Sequence, residues 1–253
     1  MKAGIAGKRD STSRAGEASG EASGEAQREF LKFTFYKARP EWRLLPRDVR
    51  HEQRKELTAA MRDLARDMTL LTYSLVGIRA EVDFLTWTIA DRVEAFPAIA
   101  HRIASTDLGR HLDTPYAYLA MRRRSMYLGG HRHEGQEGAA SPHPPVGSKF
   151  LFVYPFVKKR EWYALPFAER QRMMGDHFRV GHKFPGVTIH TGYSFGLDDQ
   201  EFVLAFEADR PEEFSDLVLE LRTSEASRYT ERETPIFTCL AMEPEAMLAA
   251  LGE

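Results

Sequence analysis

Residues 150–206 read FLFVYPFVKKREWYALPFAERQRMMGDHFRVGHKFPGVTIHTGYSFGLDDQEFVLAF. From Phe150 to Val157 the chain is apolar on both alternating faces, the pattern of a strand covered on both sides. A charged turn then carries Trp162 and Tyr163, and Pro166 stands where a helix would start, at a position that needs no N–H donor. Along that helix Met173, His177, Val180 and Gly181 recur at the spacing of one face. His177 is therefore expected to point inward, with two more strands following up to Phe206.

A buried imidazole must pair its ring nitrogens, because leaving one unpaired costs roughly 1–3 kcal/mol. Two readings of His177 meet that demand. It is a core histidine bonded to a backbone carbonyl, or it is an axial ligand to a metal or haem iron, with Gly181 one turn on leaving room for a flat group. Spacing alone does not separate them.

The same pattern occurs once earlier in the chain. Glu41-Trp42-Arg43-Leu44-Leu45-Pro46 matches Glu161-Trp162-Tyr163-Ala164-Leu165-Pro166, and Tyr73-Ser74 matches Tyr193-Ser194, both at an offset of 120; Gly77 and Gly196 follow with a slip of one. In the first half, Leu31, Phe33 and Phe35 alternate as in a strand, and Leu57, Met61, Leu64 and Met68 mark a helix face. Strands at 71–78 and 82–89, a helix at 91–105 bent or split at Pro97, and a strand at 116–121 complete it.

Each half thus reads strand, helix, strand, strand, helix, strand, the split βαβ order. The expected class is α+β: two ferredoxin-like domains in one chain, their antiparallel sheets closing into a barrel with the helices outside. A cavity would then lie on the sheet face opposite the helices.

The domain boundaries come from composition. Residues 1–28 repeat Gly-Glu-Ala-Ser, and no large apolar residue stands between Ile5 and Phe30, so a disordered tail is expected. An N-terminal domain over 29–128 and a C-terminal domain over 148–253 flank a linker, 129–147, with five glycines and three prolines. His131, His133 and His143 lie in that linker, where they are solvated or bind a metal loosely.

The 253 residues carry a net charge of −2, with cations scattered among acids. The chain has no electrostatic footprint for nucleic acid, and Arg122-Arg123-Arg124 reads as a solvated strand end. Cys239 is the only cysteine, which rules out an internal disulfide and a multi-thiolate zinc site. With no secretory signal and no window of apolar residues long enough to span a membrane, a cytoplasmic protein is expected. Glu225 stands beyond Leu217 and Leu221 on the expected last helix; it is a surface charge or, near His177, an acceptor for the imidazole's other N–H.

Several motifs together resemble the chlorite dismutase family, which includes the coproheme decarboxylases. They are Tyr154-Pro155, Lys158, Trp162-Tyr163, Leu165-Pro166, Met173-Met174 before His177, Gly181, the run from Tyr193 to Phe202, and Arg222 to Tyr229. The resemblance implies haem b or Fe-coproporphyrin III (coproheme) in the C-terminal domain and a ring of five subunits. It implies His177 as proximal iron ligand, Glu225 as the acid bonded to it, and Lys158 and Trp162 beside the porphyrin and its propionates. Tyr154 falls where the decarboxylases carry a tyrosine that becomes a radical during propionate oxidation.

His190, thirteen residues after His177, falls where chlorite dismutases carry a distal arginine and many decarboxylases a glutamine. An imidazole with a pKa near roughly 6.5 can take a proton from hydrogen peroxide and return it, so His190 is expected to act as distal acid and base, or else to line the cavity. The resulting expectation is a coproheme decarboxylase that uses peroxide to convert two propionates to vinyl groups. The alternatives are a chlorite dismutase and a haem-binding protein without turnover.

Overall fold

The computed structural model describes residues 29–123, 125–128 and 144–252. The expected tail, and most of the expected linker with His131, His133 and His143, lie outside the described residues. Nine strands appear among the described residues: β1 (Phe30–Ala38), β2 (Thr69–Ser74), β3 (Phe84–Ala90), β4 (Leu112–Arg122), β5 (Phe150–Lys158), β6 (Val187–Tyr193), β7 (Phe202–Ala208), β8 (Thr230–Arg232) and β9 (Phe237–Ala241). The helices are α1 (Pro40–Arg43), α2 (Arg47–Asp67), α3 (Ala95–Ala104), α4 (Arg160–Ala164), α5 (Phe167–Gly181), α6 (Pro211–Leu221) and α7 (Pro244–Ala249).

The strands form one antiparallel sheet in the order β7-β6-β4-β1-β3-β2-β9-β5-β8, with a further pairing of β5 to β7. This corrects the expectation of two ferredoxin-like domains, each with a sheet of its own. The halves share a sheet: β4 meets β6 through Met121↔Tyr193 and Arg122↔Gly192, and β2 meets β9 through Tyr73↔Ala241 and Ser74↔Leu240. Joining edge to edge satisfies N–H and C=O groups that two sheets stacked face to face would leave unpaired. The α+β class stands.

Strand alternation sorts the side chains onto two faces. Leu31, Phe33, Phe35, Trp87, Leu151, Val153, Val203, Ala205, Phe237 and Cys239 pack together on one face. The face expected to hold a cavity is therefore filled by the core. The other face carries the helices. Trp42 and Phe84 pack with Leu57 and Met61 of α2 and Ile99 of α3 in the first half, and Phe152, Tyr154 and Phe206 with Phe214 and Leu217 of α6 in the second.

Two local readings also change. Pro97 lies in the first turn of α3, where its missing N–H would have no intrahelical partner, so it neither bends nor splits the helix. The last long helix stops at Leu221, and Glu225 opens a separate 3₁₀ turn, Glu225–Tyr229, so Leu217, Leu221 and Glu225 do not share one helix face.

Candidate functional site

The candidate site lies on the helix-bearing face of the second half, at the seam between two apolar clusters. Phe152, Tyr154, Phe206 and Phe214 form the buried floor of one, with Phe156, Val180, Leu204 and Leu221 half-buried around it. Trp162, Met173 and Ala226 form the other, with Tyr127, Tyr163 and Tyr229 half-buried beside them. On β5, alternation turns Phe152, Tyr154, Phe156 and Lys158 to this side, while Leu151 and Val153 enter the core.

Pro166 precedes α5 as its N-cap residue in extended conformation and aims the helix across the seam. On α5 Met173 reaches one cluster and Val180 the other, so His177 lies between them, half-buried. Burial, and then the positive charge of Lys158, push the His177 pKa down to about 4. Near neutral pH its imidazole is uncharged and keeps a lone pair for a metal. A Cβ added at Gly181, one turn on, would meet nothing within 4 Å, so that side of the helix is open.

Lys158 is a buried cation. Its Nζ donates to the Ala226 carbonyl at 2.8 Å and lies 4.5 Å above the Trp162 ring. Burial lowers its pKa to about 8 against the opposing pull of Glu201. The Glu201 carboxylate accepts from the Lys158 backbone N–H at 2.8 Å and from the Tyr163 hydroxyl at 2.5 Å, which fixes the end of β5 against α4. Tyr154 is buried and stacked on Phe206 at 5.9 Å. Burial holds its phenol well above the ordinary tyrosine range, with Arg222 pulling the other way.

His177, Lys158, Trp162 and Tyr154 therefore meet at one seam. Glu225 stands at its rim, where its Oε2 accepts from Arg172 Nη2 at 2.8 Å; among the described residues no hydrogen bond joins it to His177. His190 is elsewhere. Its register partner is Ala205, its ring meets Trp87 edge-on at 5.1 Å, and its Nε2 lies 2.7 Å from Glu207 Oε2. Those neighbours belong to the core face, so the expectation of a distal His190 is corrected: counting thirteen residues from His177 lands on the wrong side of the pleat. The residues that β6 turns to the helix side are Val187, Ile189, Thr191 and Tyr193, and Ile189 is 45% exposed.

Sequence reasoning missed Arg222 as the cation whose charge acts on Tyr154, and Glu201 as the brace under Lys158. Both stand inside the motifs quoted above, but spacing gives no sign of what they touch. A flat apolar macrocycle with carboxylate arms fits this donor set: a neutral imidazole beside open space, a rim of half-buried apolar groups, and buried or guarded cations.

The family model described as Chlorite dismutase matches residues 50–242. The chain is 35% identical over 180 residues to the coproheme decarboxylase of Mycolicibacterium smegmatis, covering 71% of this chain and 75% of the relative. It is 28% identical over 206 residues to the coproheme decarboxylase of Staphylococcus carnosus, covering 74% and 81%. A mutant chlorite dismutase from Candidatus Nitrospira defluvii superposes with a TM-score of 0.80 at 22% identity, covering 87% and 94%. A heme-binding protein from Thermus thermophilus does so with 0.76 at 22%, covering 89% and 95%. At such identities these two structures establish a shared fold.

Proposed function

This chain belongs to the chlorite dismutase family, an enzyme family, and from that premise we propose that it is a coproheme decarboxylase. It acts on Fe-coproporphyrin III with hydrogen peroxide and yields haem b. Each of two propionates loses its carboxyl group as carbon dioxide and one hydrogen from the adjoining chain, becoming a vinyl group; the two electrons released reduce one peroxide to two waters.

The observation that carries this reading is the placement of Tyr154. Its phenol is buried, kept protonated, and held on the same face as His177 and Lys158. Such a hydroxyl can give up a proton and an electron together and then take a hydrogen atom from a propionate arm. His177 would hold the iron through its neutral imidazole, and Lys158 and Arg222 would answer the carboxylates. Bound iron porphyrin supplies the centre at which peroxide is reduced. The apolar rim of Phe156, Leu204 and Leu221 excludes water from the tyrosine.

Chlorite dismutation is the second reading, favoured by the shared fold with a chlorite dismutase. Against it, β6 turns Val187, Ile189, Thr191 and Tyr193 to this face, and none of them supplies the fixed positive charge of a distal arginine. No helix among the described residues is long and apolar enough to cross a membrane. The decarboxylase reading carries with it a cytoplasmic location and a ring of five subunits, the latter open to light scattering.

The deciding experiment is a titration with ferric coproheme, then stepwise peroxide, with mass analysis of the porphyrin. Sequential loss of two carboxyl groups is expected. Intact coproheme, with oxygen evolved from chlorite by the haem-loaded protein, would establish the second reading. Neither reaction would make the protein a binder without turnover.

A further inference from the structure

A cavity of about 320 Å³ lies on the helix-bearing face of the first half, between the sheet and α3. The sequence repeat makes it the counterpart of the candidate site in the second half, and the ladders align the two floors position by position. Thr34 opposite Thr86 corresponds to Tyr154 opposite Leu204, and Lys32 opposite Thr88 corresponds to Phe152 opposite Phe206. Where the second half offers aromatic rings, the first offers hydroxyls and one ammonium.

The floor is Lys32, Thr34, Thr86 and Thr88, closed at one end by Tyr36, while the roof is Phe96, Ile99 and Ile103. Tyr36 is already engaged with the hydroxyls of Thr34 and Thr86. Among the described residues the Lys32 ammonium makes no hydrogen bond or ion pair. The acid that acts on it, Asp198, is occupied by the Leu119 and Asp199 backbone N–H groups at 2.7 and 2.9 Å. Burial disfavours the charge on Lys32, so an anion beside it would gain more than at an exposed lysine. The volume holds about ten waters, at roughly 30 Å³ each. That is too small for a porphyrin and suited to a small molecule with one charged end.

We propose that this cavity binds a short-chain monocarboxylate, with its carboxylate at Lys32 and the threonine hydroxyls and its hydrocarbon tail beneath Phe96, Ile99 and Ile103. The site is independent of the porphyrin site and does not rest on the decarboxylase reading. Shape and chemistry agree at both ends. The polar floor pairs oxygens that the apolar roof cannot, and the roof buries carbon that the floor cannot.

The test is calorimetric titration of the full chain with hexanoate, with the porphyrin site empty and then filled by coproheme. Saturable binding is expected in both states. It should weaken at least tenfold in Lys32→Met and be lost in Ile99→Trp, which fills the roof without touching the charge; hexanol should bind at least tenfold more weakly than hexanoate. Melting curves establish that both variants are folded. Absence of saturable binding overturns the proposal. So does binding that coproheme displaces, or binding unchanged in both Lys32→Met and Ile99→Trp.

Discussion

His190 Nε2 lies 2.7 Å from Glu207 Oε2 on the packed face of the sheet, with Tyr154 on the other face. Glu207 also accepts the backbone N–H groups of Val146 and Gly147 at 2.8 Å each, so the pair pins the start of the C-terminal half to β7. Replacing His190 by leucine removes one of several partners from a buried carboxylate. The expected cost is about 1–3 kcal/mol, or a melting point lower by several degrees at roughly 2–4 °C per kcal/mol. Coproheme affinity and turnover measured well below that temperature should stay within about twofold. A His190→Leu protein that melts like the parent but has lost turnover would restore His190 to the chemistry.

His177 makes the stability of the porphyrin-free protein depend on pH in a defined window. Its folded pKa is about 4 and its ordinary value 6.5, so between these limits the unfolded chain binds the extra proton. Stability is full above pH 6.5 and declines as the pH falls toward 4. His177→Leu should flatten that slope, measured by urea unfolding at several pH values, and should also abolish the spectral signature of imidazole-bound iron. An unchanged slope would mean that the imidazole is solvated when folded.

The internal repeat and the element order were legible because alternation and helical spacing are local. Pro166 announced α5, and Met173, His177 and Val180 fell on the one face that helical spacing assigned them. How the halves join was not legible, since the β4–β6 and β2–β9 pairings link residues 70 to 168 positions apart with only two register partners each. His190 was misread for a related reason. Counting from α5 crosses the turn after Gly181, and a change of one residue there moves every β6 side chain to the other face. Glu225 was placed by spacing on a helix that ends at Leu221.

Tyr154→Phe removes one oxygen from a buried, stacked ring and leaves the packing on Phe206 intact. Coproheme should bind within about twofold of the parent, while peroxide-driven loss of carboxyl groups falls by at least about 100-fold, equal to roughly 2.7 kcal/mol in the barrier. Mass analysis of the porphyrin after peroxide reads the second effect, and absorbance titration reads the first. Full turnover in Tyr154→Phe would take the hydroxyl out of the mechanism.

Lys158 couples porphyrin affinity to pH on the alkaline side. With a pKa of about 8 it is charged at neutral pH and discharges well below an ordinary lysine, whereas coproheme carboxylates stay ionised throughout that range. Affinity for coproheme should therefore fall as pH rises through about 8 and beyond, because the buried cation proposed to answer the arms is lost. Lys158→Met should bind about tenfold more weakly at pH 7, the weight of one charge-assisted hydrogen bond, and show no such decline. The two curves should converge at high pH, where both side chains are neutral over the Trp162 ring. Binding titrations from pH 6.5 to 9.5 distinguish this from a packing role, in which Lys158→Met would run parallel to the parent at every pH.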